Sequence, residues 1–493
     1  MAWIAIDAGT SVIKAVAFAD DGRELTLARE RTEVLHPQPD WSEQDMDGVW
    51  SAVVKTVTAV VPQISEKVRG VVVTAQGDGS WLVDELGSPT GNAILWNDGR
   101  ATEEIEQWTA SDAIEKSFRI SGSVSYPGLP NAIFAWLDKH QPQRIGDARW
   151  TLTCGAWLFS KMTGRFAADL SDGSNPFSDV KRGEYSQQVL ALYGAEKNAK
   201  LLPRLAKGSD VVAPLTDRAA SELGLSAGTP IVMAPYDIVS TAYGSGASRP
   251  GQACVILGTT ICAEVITASL DLTGEPAGTT IALYNGLHLR AMPTLTGCEA
   301  LDWTARLLEV DGLPALGDLA ATAPRGSNGI FFLPYLSPAG ERAPFLNPDA
   351  RGSFLGLTLG ASRAALARSV YEGLAFVVRE CLATATTDKL SEVRVCGGGA
   401  RSDLWCQLIA DATGVTVIRP ADSEIGARGA HLFAMAIAGE TKDITEGVQK
   451  HVTHATTFCP NAEAHAFYTQ RYETFLKLRE TANAQWQLLA GAR

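Results

Sequence analysis

Long basic stretches are missing from this sequence. Its 42 Lys and Arg are outnumbered by 55 Asp and Glu, giving a net charge of −13, and the cations are scattered along the chain. A nucleic-acid or anionic-membrane surface needs clustered Lys and Arg, so both partners are excluded, and any phosphate must be held locally, mostly by backbone. Cysteine is sparse, eight residues in 493, with no C-x-x-C pair and no close spacing apart from Cys254 and Cys262. That usage speaks against disulfides and structural zinc and for a reducing, cytoplasmic setting. No run approaches the roughly 18 apolar residues of a membrane span. Met1–Ile6 is apolar but lacks a basic flank, and Asp7 interrupts it before a secretory core can form. None of the seven histidines sits in H-E-x-x-H, and there is no G-x-S-x-G elbow, which removes zinc-peptidase and serine-hydrolase chemistry.

Hydrophobic residues make up 46% of the chain and charged residues 20%, as in ordinary globular domains. The length exceeds what one core supports and predicts two domains of roughly 200 to 250 residues. Trp3–Ile6 and Val12–Phe18 read as two strands around a glycine turn, Asp7-Ala8-Gly9-Thr10-Ser11, with a third strand after Asp20–Arg23. Met46–Val61 has helical spacing and Val68–Thr74 is a β-branched run, so strands and helices alternate in a layered α/β fold. A second such turn stands in Ala253–Val265, where Gly258-Thr259-Thr260 falls on Gly9-Thr10-Ser11. A repeat at this long period indicates two similar lobes rather than a solenoid. The glycine- and proline-rich stretch Gly244–Gly251 suits the junction, dividing the chain into 1–246 and 247–493. Beyond it the pattern predicts a helix near Ala300–Glu309, a loop over Leu336–Asp349, and helices within Arg363–Ala383. A strand at Val393–Cys396, a helix opening at Ser402 and a closing helix over Ala462–Leu489 complete it, with Phe467, Tyr468, Tyr472 and Phe475 of the last helix in the core.

Gly-Thr-Ser between two strands aims backbone N–H groups and hydroxyls one way, into a concavity for phosphate oxygens. Asp7, just before the first turn, accepts only when ionised and would repel phosphate unless a divalent cation stands between, which makes it a candidate Mg²⁺ ligand through water. A plain hairpin turn explains either turn alone; the duplication favours phosphate. Gly397-Gly398-Gly399, between a strand and a helix, leaves bare backbone for a ring or phosphate, though its spacing is not a dinucleotide fingerprint. Asp237, after Ile231-Val232-Met233, is placed either as a catalytic base at a strand end or as a helix N-cap. Gln76-Gly77-Asp78-Gly79 and Trp96-Asn97-Asp98-Gly99-Arg100 mix polar side chains, glycines and an aromatic face, as sugar sites do.

Together these motifs resemble the FGGY family of carbohydrate kinases over essentially the whole chain. Ile6–Lys14 is similar to the family's first phosphate motif and Leu257–Thr260 to its second. Phe332–Leu336, Gly340–Phe345, Arg351-Gly352 and Tyr371–Phe376 resemble its C-terminal signature. The resemblance implies two ribonuclease H-like lobes of the actin, Hsp70 and sugar-kinase superfamily around a central cleft, with sugar bound deep and ATP mainly on the second lobe. It makes Asp237 the catalytic base and Asp7 the metal-associated carboxylate. Thr10, Ser11 and Lys14 fall near the transferred phosphate, Gly258, Thr259 and Thr260 in the second phosphate turn, and Gly398, Gly399 and Asp403 along the nucleotide. Gln76, Gly77, Asp78, Trp96, Asn97, Asp98 and Arg100 are the expected sugar contacts. Xylulokinases usually carry Met-His-Gly at Gln76-Gly77-Asp78 and Asn or Gln at Ile238, so the pattern looks more like the branch of erythritol and L-xylulose kinases.

The expected reaction is phosphoryl transfer from MgATP to a terminal hydroxyl of a small open-chain sugar or polyol, a pentulose or erythritol, with a homodimer kept as an assembly option. The rival reading is an actin- or Hsp70-like ATPase switch with no sugar acceptor, which has no use for the Gln76–Arg100 cluster.

Overall fold

The computed structural model describes residues 1–492. Contacts divide it into two compact units: Met1–Ser248 with Thr280–Leu289 and Asp422–Val452, and Arg249–Thr279 with Arg290–Ala421 and Thr453–Arg493. The first unit thus takes in two segments that a cut between 246 and 247 leaves in the second.

In the first unit, β1 (Ala2–Ala8), β2 (Val12–Ala19), β3 (Glu24–Arg31), β4 (Val68–Ala75), β5 (Val212–Pro214) and β6 (Pro230–Met233) lie in the order β5-β6-β4-β1-β2-β3. β1 runs antiparallel to β2 and parallel to β4; β4 runs parallel to β6 and β6 antiparallel to β5. In the second unit, β7 (Gln252–Leu257), β8 (Ile261–Thr267), β9 (Glu392–Cys396), β10 (Val417–Pro420) and β11 (His454–Phe458) lie in the order β11-β10-β9-β7-β8. Here β7 is antiparallel to β8 and parallel to β9, β9 parallel to β10, and β10 antiparallel to β11. The order and directions of β11-β10-β9-β7-β8 repeat those of β5-β6-β4-β1-β2, so the duplication seen in two glycine turns extends to five strands of each sheet that carries them.

β1 and β4 are buried almost throughout and read as continuous apolar runs because helices cover both faces of a parallel sheet. The core of the first unit joins Ile4, Ile6, Val71, Val73, Ile231 and Met233 to Val53 and Val57 of the Met46–Val60 helix and to Ala427 and Phe433 of the Ile425–Ile437 helix. In the second unit Arg363–Ala385 forms one continuous helix, and Tyr468, Tyr472 and Phe475 of the Ala462–Ala490 helix are buried in its core. No disulfide joins any of the eight cysteines. Among the described residues no helix is long and apolar enough to cross a membrane.

One helix pair fixes the position of Asp237. The Asp237–Ser245 helix crosses Ile425–Ile437 with backbone against backbone. A Cβ on Gly244 would lie 1.9 Å from the Ile425 carbonyl oxygen, and one on Gly429 would lie 1.7 Å from that of Ser240. Neither neighbour is a side chain that can swing away. Gly429→Ala therefore forces the helices apart, with an expected loss of about 1–3 kcal/mol or more for an overpacked core. It should show as a lower melting temperature together with reduced kcat/KM, because the displaced helix carries Asp237.

Candidate active site

β1, β4 and β6 are parallel neighbours, so their carboxyl ends open on one edge of the sheet, where ligands bind in open α/β folds. Asp7 lies at the end of β1, Gln76 follows β4, and Asp237 follows β6 as the first residue of its helix. Three residues distant in sequence are thereby gathered at one edge.

Asp237 is half-buried. Burial, first, and then the negative charges of Asp7 and Asp78 push its carboxyl well above the usual carboxylate range; the Ile238 N–H opposes them. Asp7 is likewise raised, by burial and by Glu424, against the pull of Lys14. Lys14 lies opposite Asp7 in the β1–β2 register, with its ammonium 3.7 Å from Asp7 Oδ2 and 3.1 Å from Glu424. Arg29 also pairs with Glu424. On its other side Asp7 meets bare backbone: a Cβ on Gly426 would stand 2.9 Å from Oδ2.

Asp78 is held in a left-handed turn (φ 56°) and accepts hydrogen bonds from Tyr126 Oη, from Asn175 Nδ2 at 3.0 Å and from Tyr236 Oη at 3.0 Å. Gly77 is a glycine because the Tyr236 ring lies on it; a Cβ there would come within 2.0 Å of that ring. Beside this cluster a small cavity of about 40 Å³ is lined by Asp78, Thr153, Asp172, Asn175, Phe177 and Tyr185, among others. Asp172 accepts from Thr153 Oγ1 at 2.8 Å, and burial, Asp169, Asp78 and Asp237 together raise its carboxyl well above the ordinary value. Asp169 is raised to about 6, chiefly by burial.

The Gly9-Thr10-Ser11 turn is braced by a closed ring of hydrogen bonds. Thr10 Oγ1 donates to Gln76 Oε1 at 2.7 Å, Gln76 Nε2 to Gln44 Oε1 at 2.7 Å, and Gln44 Nε2 to the Thr10 carbonyl at 2.7 Å. Trp96 Nε1 donates to Thr10 Oγ1 at 3.1 Å. Gln76 is buried, so its amide holds the turn, whereas the half-buried Trp96 keeps part of its ring accessible. Asp98 and Arg100 lie behind this surface with side chains 0% exposed. Arg100 bonds Asp98 at 2.8 Å and Glu43 at 2.7 Å, and its guanidinium stacks 4.0 Å from the Trp41 ring. Asn97 is exposed.

In the second unit the turn after β7 is closed by the helix Cys298–Leu307, whose Cys298 N–H donates to Gly258 O at 2.9 Å. Thr259 is exposed and Gly258 and Thr260 are half-buried. The three consecutive glycines have separate reasons. A Cβ on Gly397 would meet the Leu257 carbonyl at 2.7 Å, one on Gly399 would meet Trp405 at 2.4 Å, but around Gly398 there is nothing within 4 Å. Gly398 is the one whose bareness faces open space. Asp403, exposed at the start of its helix, pairs with Arg419 at 2.9 Å.

The sequence reading missed Gln44, Tyr126, Asp169, Asp172, Asn175, Tyr236 and Glu424. Three of them had a signal: Asp169 and Asp172 stand three residues apart in Asp169-Leu170-Ser171-Asp172, and Tyr236 adjoins Asp237. The rest reach the site from distant segments with ordinary local sequence.

An α/β sheet duplicated with phosphate-type turns, opening on a carboxylate, defines the class of phosphotransferase with an actin-like fold. Residues 2–244 match the N-terminal domain of the FGGY family of carbohydrate kinases and residues 253–438 match its C-terminal domain. The chain is 30% identical to the erythritol kinase of Brucella abortus (99% of this chain, 98% of the relative) and 31% identical to the xylulose kinase of Escherichia coli K12 (97% and 98%). The crystal structure of a xylulose kinase from Brucella ovis superposes with a TM-score of 0.89 at 26% identity, covering 98% of this chain and all of that one. The chain belongs to the FGGY family of carbohydrate kinases.

Removing Arg100 leaves Asp98 and Glu43 buried without their cation. Arg100→Ala should cost about 3–5 kcal/mol, read as a large drop in the denaturation midpoint, whereas Asn97→Ala on the exposed side of the same loop should stay within about 0.5 kcal/mol.

Proposed function

We propose that the protein transfers the γ-phosphoryl of MgATP to a terminal hydroxyl of a small open-chain sugar or polyol, with Asp237 as the base. The observation that carries this reading is the environment of Asp237: half-buried, first in its helix, and made more basic by burial and by Asp7 and Asp78. A carboxylate whose pKa is raised accepts a hydroxyl proton better than an ordinary one does. The hydroxyl oxygen attacks phosphorus as its proton passes to Asp237, and the terminal P–O bond breaks to leave ADP. In-line positioning and charge neutralisation supply most of the acceleration.

Asp78, the accessible face of Trp96 and the polar lining around Asn175 and Asp172 form the sugar-recognition surface in this reading. Gln76, Asp98 and Arg100 act through others, by bracing the Thr10 turn and the Trp96 loop. The names of the similar proteins support a four-carbon polyol or a five-carbon ketose as acceptor. In the first unit the Thr10-Ser11 turn is assigned to phosphate; in the second unit the Gly258–Thr260 turn, the open backbone at Gly398 and Asp403 are assigned to the nucleotide.

The residues fit a magnesium ion that completes its shell from phosphate and water. No group of three or more His, Cys, Asp or Glu that could hold a metal occurs among the described residues, and Mg²⁺ bound with substrate phosphates needs only one or two carboxylates. Asp7 is that carboxylate: half-buried, its pKa raised, and countered among the described residues by Lys14. The ion would offset phosphate charge, while Lys14 keeps Asp7 oriented.

ADP release with MgATP across glycerol, erythritol, the pentuloses and pentitols tests the proposal. One or a few acceptors should stimulate turnover strongly; equal hydrolysis with and without every acceptor would refute it. Asp237→Asn should lower kcat by about 10² to 10⁴ while leaving acceptor affinity within a few-fold.

The acid limb of kcat/KM reports Asp237 in the free enzyme, because only the ionised carboxylate accepts a proton. Its raised pKa means activity falls as pH drops, at values where an unperturbed aspartate (about 3.9) would still be ionised. Asp78→Asn removes one of the raising charges, so the limb should move to lower pH even as KM rises.

A further inference from the structure

The first unit also carries a larger cavity, of about 270 Å³, whose Tyr284 lies within electrostatic reach of Asp169 and Asp172. It is formed by the turn Val180–Gly183, Leu170, Lys207 and the segment Ala282–His288. Its lining includes three cations, Lys181, Arg182 and Lys207, and no carboxylate. In a chain with net charge −13, that is a local inversion of the prevailing sign.

The cations converge rather than splay. A Cβ on Gly183 would stand 4.0 Å from Lys207 Nζ, which puts that ammonium against the turn bearing Lys181 and Arg182. Lys181 is also close enough to His288 to disfavour its protonation. Arg182 shares its charge with Asp179 at 3.5 Å, but neither Lys181 nor Lys207 has a carboxylate within 4.0 Å among the described residues. Like charges held together at a concave surface cost stability unless an anion offsets them. Two more lining groups are unsatisfied: Tyr284 Oη and His288 Nδ1 are buried atoms with no hydrogen-bond partner, although His288 Nε2 lies 3.2 Å from Val180 O. Native proteins leave few such atoms unpaired, and each one asks for an explanation. The backbone of the turn is not free to serve, because the N–H groups of Lys181, Arg182 and Gly183 are spent on Asp179. Any ligand must be held by side chains.

We propose that this cavity is a second binding site, for a small phosphate-bearing anion gripped by Lys181, Lys207 and Arg182, with Tyr284 and His288 as neutral hydrogen-bond partners. Two unpaired ammoniums and a partly engaged guanidinium match the charge of a phosphate monoester, about −1.5 to −2 at neutral pH. The volume falls just under the roughly 300 Å³ at which drug-sized pockets begin, which suits phosphate alone or phosphate on a few-carbon body.

The test is thermal melting and calorimetric titration of the full chain with inorganic phosphate and, separately, with glycerol 3-phosphate, at constant ionic strength set by chloride. Saturating ADP is present throughout to fill the nucleotide site. At least one probe should raise the melting temperature, and the stronger of the two identifies the source of the phosphate. Lys181→Ala/Lys207→Ala should weaken that binding about tenfold or more for each cation lost, while Asp237→Asn leaves it intact. Both lysines are exposed, so the double variant should melt normally without ligand; if it does not, Lys207→Gln carries the same test. No shift with either probe, or a shift that survives loss of the lysines, overturns the proposal. Failure of the kinase reading would instead show as acceptor-independent ADP release with this binding unchanged.

Discussion

Several carboxylates share a small region of the first unit with little positive charge to offset them. Asp7 and Asp78 act on Asp237, and Asp78, Asp169 and Asp237 act on Asp172. The cation that opposes Asp7, Lys14, is shared with Glu424. Such a cluster is costly to fold, since each buried or half-buried carboxylate is short of water and repels the next. The protein lowers that cost by hydrogen-bonding the acids from neutral donors, Tyr126, Asn175 and Tyr236 on Asp78 and Thr153 on Asp172. The remaining imbalance suits the proton-accepting role proposed for Asp237 and the magnesium ion proposed to accompany the nucleotide.

The scaffold around the cluster is stiff for definite reasons. Backbone contact at Gly244 and Gly429 fixes the helix that begins with Asp237, and the Gly77–Tyr236 contact ties the loop after β4 to the residue before it. The Thr10–Gln76–Gln44 ring sets the Gly9-Thr10-Ser11 turn, and the buried Asp98–Arg100–Glu43 group holds the loop that carries Trp96. Rigid support of this kind is what positions reacting groups to the accuracy that in-line transfer demands.

Much of this could be read from residues close together in sequence. The two glycine turns and their flanking apolar runs disclosed the duplication, and the structure extends it to strand order and direction in both sheets. The position of Asp237 beyond a strand end was legible because a strand-like run ends just before it. The roles of Gln76, Asp98 and Arg100 were not: a polar side chain near glycines and an aromatic looks the same in sequence whether it faces a sugar or a buried partner. Only the fold brings Glu43 to Arg100 and Gln44 to Gln76. Tyr126, Asn175 and Glu424 were invisible for the same reason, each arriving from a segment with no local sign of chemistry. The turns also differ in detail: Ala8 and Ile13 flank the first, whereas Leu257 and Ile261 flank the shorter second.

The central claim is that the fold makes the Asp237 carboxyl unusually basic. Infrared difference spectra recorded during a pH titration, wild type against Asp237→Asn, observe that group directly. The account requires a protonated-carboxyl band that disappears in the variant and that, in the wild type, titrates well above the ordinary aspartate value of about 3.9. A band that titrates at or below that value, or that persists unchanged in Asp237→Asn, would contradict it.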